Sequence, residues 1–190
     1  MIETTRFELS NGLRVVHNYD GNTAMVAVNV LYNVGARDEH PEHTGFAHLF
    51  EHLMFSGSRH VPDFDLPVQL ACGENNAFTN ADYTDYYVTL PTSNIETALW
   101  LESDRMTGLE ITPEVLETEK RVVIEEFRQR YLNQPYGDQM MLLRELAYTT
   151  HPYRWATIGR STDHIEAATL EEVEQFYRTH YRPSNAVLAL

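Results

Sequence analysis

The chain has 190 residues, of which 43% are hydrophobic and 11% aromatic, and its formal net charge is −14. This length is that of one domain with a sizeable core, and the apolar content argues against disorder. No apolar run approaches the roughly 20 residues that cross a bilayer, and the acidic balance argues against nucleic-acid and anionic membrane partners.

The first third of the chain is predicted to form strands and then a helix. The patterns predict strands over 6–9, 13–19 and 25–34, a polar loop over 35–44, and a helix that ends near 55–57. The first two strands flank the turn Ser10-Asn11-Gly12, which predicts a hairpin. The β-branched run 25–34 suits a buried central strand.

The rest of the chain alternates between helices and strands. The patterns predict a helix over 64–71, strands over 76–80 and 83–90, helices from 93–96 and from Thr112-Pro113, a helix over 137–148, a helix capped by 169–172, and a strand over 185–190. Ser93 with Glu96, and Thr169 with Glu172, have the spacing of a capping box. Because helices and strands come in blocks, we expect an α+β fold with a largely antiparallel sheet packed against helices.

The two ends of the chain bear on domain organisation and compartment. Residues 1–7 lack the basic and apolar regions of a secretory signal, which favours a cytoplasmic protein, or a periplasmic one whose leader was removed. The single Cys72 excludes an internal disulfide. An apolar strand at 185–190 with no turn after it predicts that residues 1–190 form one domain of a longer polypeptide.

Residues 48–52, with the sequence His-Leu-Phe-Glu-His, carry the most informative motif. His48 and His52 are four apart on one face of a helix, so both imidazoles can reach one zinc ion. Glu51 sits where a carboxylate can take a proton from water at that metal. The order H-x-x-E-H is typical of inverzincin peptidases. The alternative is a coincidental pair of solvated histidines.

A hydrolytic zinc site usually takes three protein ligands, so a third donor is needed. On the helix from Pro113, Glu119 and Glu126 are two turns apart and face the apolar side, whereas Glu125 points away. Inward carboxylates are costly unless a metal, a partner or a proton neutralises them. We select Glu126 as the third ligand and Glu119 as a catalytic carboxylate that orients a ligand or adds negative charge. Alternatively, both pair with arginines such as Arg130 in a structural network.

Together these residues resemble the pitrilysin family of zinc peptidases, which includes insulin-degrading enzyme and the mitochondrial processing peptidase. The matching features are His48-x-x-Glu51-His52, Glu126 at the end of 119–126, the turn 72–75 before Asn76-Ala77-Phe78-Thr79, and the segments 151–153, 158–159 and 181–185. They extend over essentially the whole chain. Cys72 is a departure, because the family often has glycine there.

The resemblance implies one Zn²⁺ per chain and hydrolysis of extended or unfolded peptides. It implies that Asn76, Ala77, Phe78 and Thr79 are the edge strand to which a substrate adds by backbone hydrogen bonds, although the residues alone favour an ordinary edge strand. It also implies a second, similar half, in the same polypeptide or a partner chain, which encloses a chamber and supplies an Arg-Tyr pair. The alternatives are a non-catalytic scaffold or partner subunit of the family, and a zinc-storage module.

Overall fold

The computed structural model describes residues 3–190, and within this range the chain forms six strands and seven α-helices. The strands are β1 (Thr5–Glu8), β2 (Arg14–His17), β3 (Met25–Tyr32), β4 (Glu74–Thr79), β5 (Thr84–Pro91) and β6 (Ala186–Ala189). The helices are α1 (Phe46–Leu53), α2 (Asp65–Leu70), α3 (Ile95–Gly108), α4 (Pro113–Phe127), α5 (Gln139–Ala147), α6 (Thr162–Glu166) and α7 (Leu170–His180). Over these described residues, no helix has both the length and the apolarity to cross a membrane.

The six strands form one sheet in the order β1-β2-β6-β3-β5-β4. The predicted hairpin is confirmed, because β1 pairs antiparallel with β2. Strands β2 and β6 pair in parallel, and the other pairings between described strands are antiparallel. The predicted α+β fold with a largely antiparallel sheet is therefore confirmed, and β4 lies at one edge of the sheet.

The sheet buries one face against the helices. Along β3 and β5 the alternate residues are fully or almost fully buried, as period-2 side-chain geometry requires; they are Val28, Val30, Tyr32, Tyr86, Val88 and Leu90. Helix α1 contributes four buried apolar residues to the same core, namely Phe46, Leu49, Phe50 and Leu53. This packing fixes α1 on the sheet and leaves its polar side chains to face a neighbouring helix.

The helix starts follow the sequence in two of three cases. Thr112 caps α4 by accepting the N–H of Val115, with proline at the first helical position. Thr169 and Glu172 form the predicted capping box of α7. The capping box predicted at Ser93 is wrong, because Ser93 lies in a 3-10 turn and α3 begins after it without a side-chain cap.

We expect Thr169→Ala to lower the free energy of unfolding by about 1 kcal/mol, because it removes the acceptor for the N–H of Glu172. Ser93→Ala is the matched control and should change the stability little, since Ser93 caps no helix. Chemical denaturation of both variants measures the difference. Equal losses of stability would contradict this account of the two helix starts.

Candidate metal centre

Helix α1 presents both histidines of the motif to helix α4. Because its apolar side chains are buried in the core, His48 and His52 fall together on the remaining side of the helix. Their rings meet edge to face with centroids 5.0 Å apart. His48 is buried, with only 8% of its surface exposed.

The start of α1 is held by a residue that the sequence analysis missed. The buried carboxylate of Glu39 accepts the N–H groups of Gly45 at 2.9 Å and Ala47 at 2.8 Å, which caps the helix from a distance. Burial raises the pKa of Glu39 to about 8, against the opposing effect of these N–H donors. Gly45 has φ +95°, and a Cβ there would lie 2.7 Å from the carbonyl oxygen of Ile158, so only glycine fits.

One oxygen of Glu126 stands between the two imidazoles. Its Oε2 lies 3.6 Å from Nε2 of His48 and 3.4 Å from Nε2 of His52. One donor atom of each of the three residues lies within 4.8 Å of the others. Among the residues that the structure describes, this is the one group of three or more histidine, cysteine or acidic side chains with such spacing.

The three donors fit a zinc ion. Zinc bonds of about 2.0–2.2 Å in tetrahedral geometry place neighbouring donors roughly 3.4 Å apart, close to the 3.6 and 3.4 Å that separate Oε2 of Glu126 from the two imidazole nitrogens. Burial lowers the pKa of His48 to about 3, helped by the charges of His52 and Arg130, so that its imidazole is neutral and has a lone pair for a metal. Two imidazoles and one carboxylate are also a donor set that zinc takes in hydrolytic sites.

Glu119 lies on the far side of His52. Its Oε2 is 3.5 Å from Nδ1 of His52, and its Oε1 accepts the hydroxyl of Ser56 at 3.1 Å. Burial alone would lower the pKa of His52. The net shift is upward, because Glu119 contributes a hydrogen bond and a negative charge, and the carboxylates of Glu126 and Glu51 add further negative charge. The same hydrogen bond lowers the pKa of Glu119. A carboxylate on the second nitrogen of a metal-binding histidine fixes the orientation of the ring.

The arginine network considered from the sequence is present in part. Nη2 of Arg130 lies 2.7 Å from Oε1 of Glu126, so this carboxylate contacts both an arginine and the two imidazoles. Glu119 instead contacts His52 and Ser56. As predicted, Glu126 is turned inward with 20% of its side chain exposed, whereas Glu125 is 54% exposed.

A cleft of about 620 Å³ opens over this centre. Of the predicted site residues it is lined by His48, Glu51, His52, Ala77, Phe78, Thr79 and Glu126. Asn76 and Glu119 do not line it: Asn76 is exposed and accepts the N–H of Ala77, and Glu119 is behind His52. The lining residues that the sequence analysis gave no role in a site are Tyr131, Thr157 and Ile158, and it considered Arg130 only as a structural partner.

A family model described as insulinase, peptidase family M16, matches residues 14–160. The chain belongs to this peptidase family. The resemblance to zinc peptidases that the sequence motifs indicated is therefore confirmed.

Named relatives of this insulinase-family chain agree with the assignment. The zinc protease PqqE of Helicobacter pylori is 35% identical, over 95% of this chain and 41% of its own length. A probable mitochondrial-processing peptidase subunit beta of Arabidopsis thaliana is 27% identical, over 98% and 35%. The crystal structure of a protease from Helicobacter pylori has a TM-score of 0.95 and 34% identity, covering 100% of this chain and 46% of that one. The chain thus spans less than half the length of these relatives.

In protein prepared without metal, we expect Glu119→Gln to lower the pKa of His52. The substitution removes the negative charge that stabilises the protonated imidazole, whereas the burial that favours the neutral form remains. The pair requires ionised Glu119 and protonated His52. Its contribution to stability is therefore lost as the pH rises through the raised pKa of His52, and also as the pH falls through the lowered pKa of Glu119. NMR titration of the imidazole measures the shift.

Glu125→Gln is the control for this titration, since Glu125 is exposed on the same helix and contacts Arg128 rather than His52. A His52 pKa that is unchanged in Glu119→Gln, or equally lowered in both variants, would contradict the proposed pairing.

Proposed function

We propose that this chain is the zinc-binding half of a peptidase that hydrolyses peptide bonds in extended or unfolded peptides. The observation that carries the proposal is the position of one Glu126 oxygen at 3.4 and 3.6 Å from two imidazole nitrogens, with Glu51 in the same cleft. The family assignment and the zinc-protease names of the relatives support it.

Each residue of the centre then has a defined task. His48, His52 and Glu126 would hold one zinc ion, which when bound supplies a Lewis acid that polarises a carbonyl and acidifies water. Glu51 accepts a proton from water as it attacks the scissile carbonyl, and passes that proton to the leaving amine. Glu119 holds the ring of His52 through Nδ1 and leaves Nε2 directed at Oε2 of Glu126, where it would be free to bind the ion.

Strand β4 is the proposed substrate-binding element. Residues 76–79 lie on the edge strand of the sheet, where an extended peptide can add by backbone hydrogen bonds. Ala77, Phe78 and Thr79 line the cleft with Glu51, so a peptide paired with β4 passes the general base. Asn76 lies outside the cleft lining and takes part through its backbone. Backbone pairing depends little on the side chains of the substrate, which suits an oligopeptidase of broad specificity.

A second homologous half, in the same polypeptide or a partner chain, completes the proposed enzyme. The support is that this chain covers 41% of the PqqE relative and 46% of the Helicobacter pylori protease structure. The exposed edge of β4 and the open cleft are surfaces that such a half would enclose. A non-catalytic partner subunit is the alternative, and the intact set His48, Glu51, His52 and Glu126 favours the enzyme.

We expect one zinc per chain, lost in His48→Ala and in Glu126→Gln because each change removes a donor. Glu51→Gln should retain zinc yet lower hydrolysis at least about 100-fold, the usual contribution of a general base. Metal analysis by mass spectrometry and a quenched-peptide assay, performed with the second half present, measure both properties. Glu125→Gln, on the exposed side of α4, is the control and should change neither.

The two readouts separate the alternatives. Hydrolysis that persists in a Glu51→Gln protein with full zinc would rule out Glu51 as the base. A well-folded protein with no affinity for zinc would support the non-catalytic subunit instead.

Peptide substrates with N-methylated amides test the role of β4. Each methyl group that blocks a backbone hydrogen bond to the strand should raise KM about 2- to 10-fold, the equivalent of ~0.5–1.5 kcal/mol per bond. KM and kcat are compared for peptides methylated at successive positions. A KM that is insensitive to methylation at every position would argue against strand addition.

A further inference from the structure

Arg130 is a charged residue of the cleft without a task in the proposed reaction. It lies in the π-helical turn Arg128–Leu132 that continues α4, and π turns are frequent at functional sites. Its side chain is 65% exposed, yet Nη2 is held 2.7 Å from Oε1 of Glu126. A short charge-assisted contact of this kind restricts the carboxylate as well as the arginine.

The two oxygens of Glu126 have separate partners. Oε1 contacts Arg130, whereas Oε2 contacts the two imidazole nitrogens. A carboxylate can bind a metal through one oxygen or through both, and a zinc site that acts on a substrate needs a position that its protein ligands leave open. If both oxygens of Glu126 turned to the metal, a water in that open position would make the ion five-coordinate instead of four-coordinate.

We propose that Arg130 is a positioning residue that holds Oε1 of Glu126 and so restricts this carboxylate to one-oxygen ligation. The proposal rests on the zinc site of the proposed function and adds a determinant of its coordination number. Arginine suits the task because its guanidinium is charged at all working pH values and directs its donors in a fixed plane.

The neighbouring arginine of the same turn provides a matched control. Arg128 lies 3.8 Å from Glu125, and both side chains are 54% exposed. Among the residues that the structure describes, neither member of this pair forms an ion pair with His48, His52 or Glu126, and Arg128 does not line the cleft. Substituting Arg128 removes the same charge from the same turn without touching the ligand carboxylate.

The test uses cobalt(II) in place of zinc, because its visible absorption reports coordination number: four-coordinate sites absorb strongly and higher-coordinate sites weakly. The metal-free protein, Arg130→Gln and Arg128→Gln are each loaded with one equivalent of cobalt, and thermal unfolding verifies that each is folded. We expect the visible absorption of Arg130→Gln to fall severalfold at full occupancy, and that of Arg128→Gln to equal the unsubstituted protein.

Three results would overturn the proposal. An unchanged spectrum in Arg130→Gln at full occupancy would show that Arg130 does not limit ligation by Glu126, and would leave the zinc site itself intact. An equal change in both variants would assign the effect to charge in general. Failure of the unsubstituted protein to bind cobalt or zinc would refute the metal site of the proposed function and, with it, this role of Arg130.

Discussion

The packing of α1 against α4 brings one oxygen of Glu126 within 3.6 Å of two imidazole nitrogens, and the site depends on this approach. A carboxylate turned inward is costly unless positive charge accompanies it. The guanidinium of Arg130 supplies positive charge beside Glu126, and the hydrogen bond and charge of Glu119 raise the pKa of His52, while burial keeps His48 neutral. A divalent cation would add positive charge at the point where this carboxylate and the two imidazoles meet, so the same charges favour a bound zinc ion.

The approach of the two helices is maintained by buried contacts around α1. At its start Glu39 accepts two backbone N–H groups. Beneath it the hydroxyl of Tyr86, on strand β5, donates to the carbonyl of Phe50 at 3.2 Å. The guanidinium of Arg105 lies 4.5 Å from the Tyr86 ring and pairs with the buried carboxylate of Glu102. A site on an element held at both its start and its middle keeps its donors in place before any ligand arrives.

Features with a local period could be predicted from the sequence, and those that depend on distant contacts could not. The inward face of α4 was predictable because helical geometry places Glu119 and Glu126 on the apolar side. Ser93 and Glu96 have the local spacing of a capping box, but no box forms, because Ser93 lies in the 3-10 turn that precedes α3. Lys120, the only lysine, is buried and donates to the carbonyl of Ala168, 48 residues away, and no pattern around it reveals this contact.

The residues of the cleft also divide into those that a local pattern predicts and those that only distant contacts bring together. The motif at 48–52 places His48, Glu51 and His52 together through spacing within one helix, but the meeting of α1, α4 and β4 in one cleft depends on tertiary packing. The family resemblance linked residues 76–79 to the motif, whereas the inward face of α4 and the need for a third zinc ligand linked Glu126 to it. The resemblance gave no site role to Thr157 or Ile158, which reach the cleft from a loop without a chemical motif of their own.

The central claim is that His48, His52 and Glu126 hold one zinc ion. Anomalous diffraction at the zinc absorption edge, from crystals grown with zinc, tests it most directly. We predict one strong anomalous peak within bonding distance, about 2.0–2.2 Å, of Nε2 of both histidines and Oε2 of Glu126. A fully zinc-loaded crystal with its peak elsewhere, or a crystal with no peak at these three atoms, would contradict the account.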